Sequence, residues 1–148
     1  MKFIFLPALF IWFLASGTIY SQSSNKKYTI SPKELETWVS FLASDAMKGR
    51  QNGSPEMNEA ADWIAQKFNE FDIKPVYPDG QLVRPYTFQT RRGATFDERN
   101  VVGIMEGTDP DLKDAYMIIT AHFDHVGIRV PVENDSIYNG ADDNAAGT

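Results

Sequence analysis

The residues with the chemistry of a metal site lie in two short polar segments near the end of the chain. His122, Asp124 and His125 directly follow an apolar run, and Asp142 and Asp143 come further along. A neutral imidazole ligates divalent metals, and a carboxylate can accept its second ring N–H, which fixes the tautomer and raises the basicity of the ligand. An aspartate has two oxygens and can therefore bridge two cations about 3.5–4 Å apart. These residue types predict a metal site.

Each motif is weak when it is taken alone. An isolated H-x-D sequence is usually chance or a surface hydrogen bond, and an acidic D-D-N sequence is usually a solvated loop or a helix cap. The two motifs together, at the end of a buried strand, favour a metal site. Zinc suits a mixed set of imidazole and carboxylate ligands better than manganese or cobalt does.

The element that must position this site is the apolar run at residues 115–121, A-Y-M-I-I-T-A. Its length and β-rich composition predict a strand that is buried on both faces and flanked by other strands. Ligand sites in open α/β sheets lie beyond the carboxyl ends of the strands. We therefore predict that His122 and Asp143 converge around one cation, with ligating atoms about 4–5 Å apart, and that Asp124 lies near the other ring nitrogen of His122.

Two helices and two further strands precede this run. Ser31 with Glu34 predicts a capping box, and Ser54-Pro55 predicts the start of a second helix. Alternation at residues 86–90 predicts a half-buried strand, residues 91–95 a turn, and residues 100–106 a second strand. The order of elements predicts an α/β fold, a three-layer α/β/α arrangement with a mixed sheet that is incomplete because it is truncated at the C-terminus. The apolar faces of the helices, expected in the core, are Leu35, Trp38, Val39 and Leu42, and Met57, Ala60, Ala61, Ile64, Phe68 and Phe71.

The N-terminus has the pattern of an export signal. Lys2 precedes a short apolar run and small residues, so residues 1–22 are predicted to be a signal peptide and residues 23–30 a flexible leader. The run is shorter than the ~20 residues that a spanning helix needs. We expect a secreted or periplasmic protein without a stable membrane anchor after cleavage.

The composition restricts the partners and the metal ligands. The chain has 148 residues, a net charge of −6, no cysteine and no basic cluster longer than two residues. An acidic chain of this kind is not expected to bind nucleic acid. Without cysteine it forms no disulfide, and any metal must be held by His, Asp and Glu.

These motifs resemble those of the di-zinc aminopeptidases, the co-catalytic metallopeptidases of the bacterial leucyl aminopeptidase and aminopeptidase Y type. The resemblance is carried by A-H-F-D-H-V-G at residues 121–127 and G-A-D-D-N-A-A-G at residues 140–147. Supporting similarity lies in L-A-S-D with the later G-R, at residues 42–50, and in N-V-V-G at residues 100–103. It extends over most of residues 35–148.

The resemblance implies a role for each matching residue and two zinc ions as the cofactor. His122 matches the histidine that ligates one zinc, and Asp143 matches the aspartate that bridges both. Asp124 matches the aspartate that orients this histidine and is the candidate catalytic residue. Asp142 and His125 match positions that are not ligands.

The resemblance also implies parts that lie beyond the position equivalent to Thr148. These are a Glu-Glu pair that supplies the general base and a ligand, a further acidic ligand and a distal histidine. We therefore expect residues 31–148 to be the N-terminal part of a zinc peptidase domain, inactive as this chain alone. The full-length protein is expected to be a zinc aminopeptidase that removes N-terminal residues from peptide substrates with a zinc-activated water.

Three other interpretations remain open at the level of sequence. A receptor-like or other non-catalytic binding relative of the same fold would have lost zinc. A glutaminyl-cyclase-like acyltransferase keeps a similar His and Asp on one zinc, although its loop usually has a single acid. A calcium-binding domain would use Glu133, Asn134 and Asp135, but these residues lack the alternating ligand spacing of a calcium loop.

Overall fold

The computed structural model of the protein describes residues 29–148. The predicted signal peptide and residues 23–28 of the predicted leader lie outside the described residues, and residues 29 and 30 are exposed and irregular. In chain order the elements are α1 (Pro32–Leu42), a 3₁₀ helix (Asp45–Arg50), α2 (Pro55–Glu70), β1 (Lys74–Pro75), β2 (Val83–Gln89), β3 (Thr95–Val101), β4 (Gly103–Ile104), β5 (Gly127–Val132), β6 (Asp135–Tyr138) and a 3₁₀ helix (Ala145–Gly147).

Both long helices begin where their capping residues predict. The Ser31 hydroxyl accepts a hydrogen bond from the Glu34 backbone N–H at 3.2 Å, and the Glu34 carboxylate accepts one from the Ser31 backbone N–H at 2.9 Å. This is the predicted capping box, in which two N–H groups at the helix start find acceptors. At the start of α2 the Ser54 hydroxyl accepts from the Met57 N–H at 3.1 Å. Local sequence therefore fixes both helix starts.

The strands form three two-stranded antiparallel sheets, in which β1 pairs with β4, β2 with β3, and β5 with β6. Helices together with small sheets confirm the predicted α/β class. The longest pairing is the β2–β3 hairpin, in which Phe88 lies opposite Phe96. The single strand predicted at residues 100–106 is instead divided, because β3 begins earlier, at Thr95, and ends at Val101, and β4 covers only Gly103–Ile104 and pairs with β1.

Residues 115–121 do not form the predicted buried strand, and that prediction is wrong for the described structure. The segment belongs to none of the strands, and Met117, Ile118 and Ile119 are 83–90% exposed. A strand buried on both faces requires neighbouring strands at its edges and helices over its faces. None of the described sheets pairs with this segment, so its apolar side chains have no neighbouring surface against which they could be buried.

The core lies where one face of α2 meets α1, the first 3₁₀ helix and the loop that carries His122. Leu35, predicted to be in the core, is instead 48% exposed. Phe41 of α1 stacks on Trp63 of α2 with ring centroids 4.9 Å apart. The buried core residues are Leu42, Met47, Met57, Ala60, Ala61, Ile64, Phe123 and Ala145.

One buried side chain, Arg50, connects these segments. Its guanidinium is completely buried and donates hydrogen bonds to backbone carbonyls of three separate parts of the chain. Nε donates to Phe123 O at 2.6 Å, Nη1 to Asn139 O at 2.8 Å and to Leu42 O, and Nη2 to Gly140 O at 3.0 Å. Burial lowers the pKa of Arg50, and the charge of Asp124 opposes this shift.

Gly49 permits the close packing around this arginine. Its φ is +66°, a left-handed conformation that glycine adopts without steric cost. A Cβ at this position would lie 2.3 Å from Tyr138 O and 2.9 Å from the Cα of Gly127. The 3₁₀ helix therefore approaches β5 and β6 at a distance that only glycine allows.

No helix within residues 29–148 has the length and apolar character that a membrane-spanning helix requires.

We expect Arg50→Leu to lower the free energy of unfolding by about 3–5 kcal/mol, because the carbonyls of Phe123, Leu42 and Asn139 lose the donor that Arg50 supplies and Gly140 O keeps only its hydrogen bond from the Ala145 N–H. Arg50→Lys should recover only part of this loss, since an ammonium cannot reproduce the planar set of donors. Urea unfolding followed by circular dichroism measures both changes.

The matched control is Arg99→Leu, which breaks an exposed 3.0 Å ion pair with Asp62. This change should cost no more than about 1 kcal/mol. A loss for Arg50→Leu that is as small as the loss for Arg99→Leu would contradict the structural role of Arg50.

The exposed segment at residues 115–121 generates a second prediction. An exposed apolar run favours self-association, so Ile118→Lys should reduce the concentration-dependent association of the 148-residue chain. Because Ile118 is 83% exposed, the same substitution should change the free energy of unfolding of the protein by less than about 0.5 kcal/mol. Sedimentation velocity and urea unfolding test the two effects. A loss of several kcal/mol would show instead that the side chain is buried, as the strand prediction required.

Candidate metal centre

His122 and Asp124 project from one extended loop whose middle residue is anchored in the core. Phe123 is buried, and its carbonyl accepts the hydrogen bond from Arg50. Side chains alternate along an extended chain, so burying Phe123 directs its two neighbours to the opposite side. The loop is also fixed one residue later, where the His125 N–H donates to Arg50 O at 3.1 Å.

Asp143 is held by a compact turn that follows Gly140. Gly140 has a φ of +61°, and a Cβ there would lie 2.6 Å from both His125 Cγ and Asp143 O. The turn is closed by the Ala145 N–H, which donates to Gly140 O at 3.1 Å. Since Gly140 O also accepts from Arg50, the same arginine positions the Asp143 turn and the His122 loop.

The structure brings His122 and Asp143 together. His122 Nε2 lies 3.1 Å from Asp143 Oδ1, shorter than the predicted 4–5 Å. The other ring nitrogen, Nδ1, lies 3.2 Å from the backbone oxygen of Asp124 and 3.4 Å from its Oδ1. The ring therefore presents one nitrogen to each aspartate, in the arrangement expected of a ligand and its orienting group.

His125 also faces Asp143, which the sequence did not indicate. Its Nδ1 lies 3.7 Å from Asp143 Oδ2, and its side chain is mostly buried. Asp143 thus has a histidine near each of its two oxygens. Asp142, by contrast, is exposed and makes no ion pair or hydrogen bond with another described residue.

The donors remain open to solvent. The side chains of His122 and Asp143 are 56% and 70% exposed. Within residues 29–148, no group of three or more His, Asp or Glu side chains is arranged to hold a metal ion. The described residues therefore supply a partial ligand set on an accessible surface.

These side chains line a cleft of about 470 Å³. The β2–β3 hairpin forms one wall with Phe88 and Phe96, and β5 contributes Arg129. His122 and Asp143 lie in the same cleft. A small ligand in this space would contact the polar donors and the aromatic wall together.

A buried carboxylic acid, Glu98, lies on the same face of the β2–β3 hairpin as Phe96, directly opposite Tyr86 in the register. It is 2% exposed, and its Oε1 has no hydrogen-bond partner among the described residues. Burial raises the pKa of Glu98, a hydrogen bond from the Gly53 backbone opposes this shift, and the charges of Asp124 and Asp97 add to it. Burial likewise raises the pKa of Tyr86, with contributions from Glu98 and Asp124. Negative charge is therefore concentrated around Asp124.

Sequence reasoning missed the residues that position the site. It placed residues 48–53 in a loop, and residues 48–50 do have left-handed, non-helical backbone at the end of the Asp45–Arg50 segment, but it did not predict that Arg50 is buried. It assigned no role to Glu98 or Asn139, whose Nδ2 donates to Ala43 O at 2.9 Å and to Asp45 Oδ1 at 2.8 Å. The one signal in the sequence was the dipeptide Gly49-Arg50, in which a glycine directly precedes the arginine.

Comparison with known proteins identifies one family. Residues 100–148 match the model of Peptidase family M28, a stretch of about a third of the chain that contains the His122 loop and the Asp143 turn. The match supports a peptidase, and hence a hydrolase, related to the co-catalytic zinc peptidases. No curated protein and no solved structure matches the chain.

The buried position of Glu98 generates a prediction about pH. Because its pKa is raised in the folded state, the folded protein binds more protons than the unfolded chain between the two pKa values, and the unfolding free energy falls as pH rises through that interval. Glu98→Gln does not titrate and should lack this decline. At about pH 7 the variant should be more stable than the natural protein by roughly 1 kcal/mol, the scale of one unsatisfied buried group.

Urea unfolding at about pH 4 and about pH 7, with a chelator present, measures the difference, since the unfolded-state pKa of glutamate is about 4.3. Glu36→Gln, which removes an exposed carboxylate from α1, is the control. If Glu98→Gln were less stable than the natural protein at the higher pH, Glu98 would instead be held as a stabilising carboxylate.

Proposed function

We propose that the full-length protein, of which residues 31–148 are expected to be the N-terminal part of the peptidase domain, is a secreted or periplasmic zinc aminopeptidase that removes N-terminal residues from peptides. The observation that supports this function most directly is the 3.1 Å separation of His122 Nε2 from Asp143 Oδ1, in a segment that matches a peptidase family. The two residues are 21 positions apart, so their convergence depends on the fold. The predicted signal at residues 1–22 supports the export of the protein.

The two donors that the described residues supply, one imidazole and one carboxylate, are of types that zinc accepts. Tetrahedral ligands at about 2.0–2.2 Å from zinc are separated from one another by roughly 3.3 Å, close to the distance between His122 Nε2 and Asp143 Oδ1. The remaining oxygen of Asp143 would be available to a second ion, as in two-metal hydrolases. His122 and Asp143 are accordingly the residues that would hold the metal.

When bound, zinc would supply Lewis-acid polarisation of a carbonyl and would lower the pKa of water. The chain's own residues prepare the ligands. With its proton on Nδ1, His122 would donate to the Asp124 backbone oxygen at 3.2 Å, with the Asp124 carboxylate 3.4 Å away, and the Nε2 lone pair would be free; Asp124 is therefore a positioning residue. The Thr148 hydroxyl lies 3.0 Å from His122 O and 2.9 Å from Asn144 O and can donate its one proton to either carbonyl.

The charge of the cleft suits the N-terminus of a peptide. Asp124 and Asp143 line it, and both lie on an acidic chain with a net charge of −6. A peptide N-terminus is an ammonium group, which negative potential in a cleft attracts and concentrates. The same potential favours divalent cations.

We expect His122→Ala and Asp143→Asn to abolish stoichiometric zinc binding and to lower the hydrolysis of an aminoacyl-nitroanilide by at least about 100-fold, because each removes a donor that the site requires. Zinc content by mass spectrometry and turnover with and without a chelator are the measurements. The natural full-length protein should lose activity with the chelator and regain it with zinc, whereas the 148-residue chain alone should be inactive even with zinc added, because His122 and Asp143 are too few ligands for a catalytic zinc.

Asp142→Asn is the matched control. It removes the same charge at the neighbouring position, where the side chain is exposed. It should retain zinc and activity within about twofold, as expected for a surface change. If Asp142→Asn lost zinc and Asp143→Asn kept it, the ligand assignment would be reversed. Bound zinc without turnover of any peptide would favour a non-catalytic binding protein.

A further inference from the structure

His125 lies beside the second oxygen of Asp143, and its ring is held in place by its neighbours. The His125 side chain is only 15% exposed, and its Nδ1 lies 3.7 Å from Asp143 Oδ2. The ring packs on the backbone of Gly140, where a Cβ would be 2.6 Å from the His125 Cγ. A ring that is closely packed against its neighbours has little freedom to turn. His125 therefore presents a fixed nitrogen to the Asp143 turn.

The backbone of His125 is fixed as well. Its N–H donates to Arg50 O at 3.1 Å, and the residue forms an isolated parallel β-bridge with Gln51. Gly127 packs directly on Gln51, since a Cβ at Gly127 would lie 2.6 Å from Gln51 Cβ. These contacts attach the segment of His125 to the chain around the buried arginine, and none of them involves His122 or Asp143.

The carboxylate of Asp143, in contrast, has little else to fix it. Its side chain is 70% exposed, and within residues 29–148 its only polar partners are the imidazoles of His122 and His125. The terminal torsion of an aspartate is broad and roughly two-fold, so an unrestrained carboxylate exchanges its two oxygens. Restraint of the carboxylate before a metal binds lowers the cost of ordering it.

From this arrangement we propose that His125 is a positioning residue for the candidate metal centre, whose Nδ1–H donates to Asp143 Oδ2 and keeps Oδ1 directed at His122. The inference rests on the proposed function, in which Asp143 ligates zinc. A rotation of the exposed carboxylate would shorten the 3.7 Å separation to a hydrogen bond of about 3 Å. A carboxylate oxygen has two lone pairs, so Oδ2 can accept this bond and still bind an ion.

The competing role of His125 is that of a metal ligand. In that role Nδ1 would have to lose its proton to bind an ion, whereas a positioning residue keeps the proton on Nδ1. The arrangement within residues 29–148 favours the positioning role, because no three His, Asp or Glu side chains there are placed to hold one ion. The location of the proton therefore distinguishes the two roles.

Nuclear magnetic resonance of the full-length protein locates this proton. Long-range ¹H–¹⁵N spectra show which ring nitrogen of His125 is protonated, and we expect Nδ1 to carry a proton in both the zinc-free and the zinc-loaded protein. Asp143→Asn should shift the Nδ1 signal, because it replaces the accepting carboxylate. An unprotonated Nδ1 in the zinc-loaded protein would show that His125 is a ligand and would refute the positioning role.

Three substitutions separate the donor from the ring. The amide of asparagine can take the place of Nδ1 and the amide of glutamine the place of Nε2, and both residues lose the same ring packing. Phenylalanine keeps a ring without a donor. We expect His125→Gln and His125→Phe to weaken zinc binding about 10- to 100-fold and His125→Asn to weaken it by no more than about threefold. Competition with a chromophoric chelator measures these affinities, and the asparagine and glutamine pair decides the question if His125→Phe does not fold.

The outcomes separate this inference from the proposed function. If the natural protein binds zinc and Asp143→Asn does not, but His125→Gln and His125→Phe bind zinc as tightly as the natural protein, the positioning role is refuted and the metal site stands. Equal losses for His125→Asn and His125→Gln would assign the effect to ring packing and would also refute the Nδ1 donor. If the natural protein binds no zinc, the proposed function itself fails, and the positioning role with it.

Discussion

The arrangement of the candidate site depends on the burial of one cation, the Arg50 guanidinium. Removing a charge from water is costly unless donors and acceptors are fully matched, and Arg50 is matched by four backbone carbonyls. Two of these, Phe123 O and Gly140 O, belong to the segments that carry His122 and Asp143. The requirement to satisfy the guanidinium thus fixes both segments relative to the end of α1, and Gly49 provides the space.

The negative charge of Asp124 acts on the buried Arg50 guanidinium and favours its protonated form. Asp124 raises the pKa of Arg50, Glu98 and Tyr86 alike, so it acts as the central charge between Arg50 and the cleft. Asp143 adds a second carboxylate beside two imidazoles. These carboxylates lie beside neutral imidazoles in a cleft that also contains Arg129, and the proposed zinc ion would place a further positive charge next to Asp143.

The exposed segment at residues 115–121 shows where sequence patterns reach their limit. A continuous apolar run predicts burial, but burial is a property of two surfaces, and the second surface is not part of the pattern. The described sheets are small and antiparallel, and none of them covers this run. His122 nevertheless reaches Asp143, because Arg50 and the burial of Phe123 hold the loop without support from a strand before it.

The sequence alone determined the features that depend on near neighbours. Helix starts at Ser31 and Ser54 follow from capping groups within one turn, alternation at residues 86–90 identifies β2, and the pairing of His122 with Asp124 needs only two residues of extended chain. The contacts with distant partners were decided by the tertiary structure. Burial of Arg50 and Glu98, the approach of His125 to Asp143, and the aromatic wall beside the metal centre all join segments that are far apart in sequence. Their energies depend on desolvation and packing that no local pattern encodes.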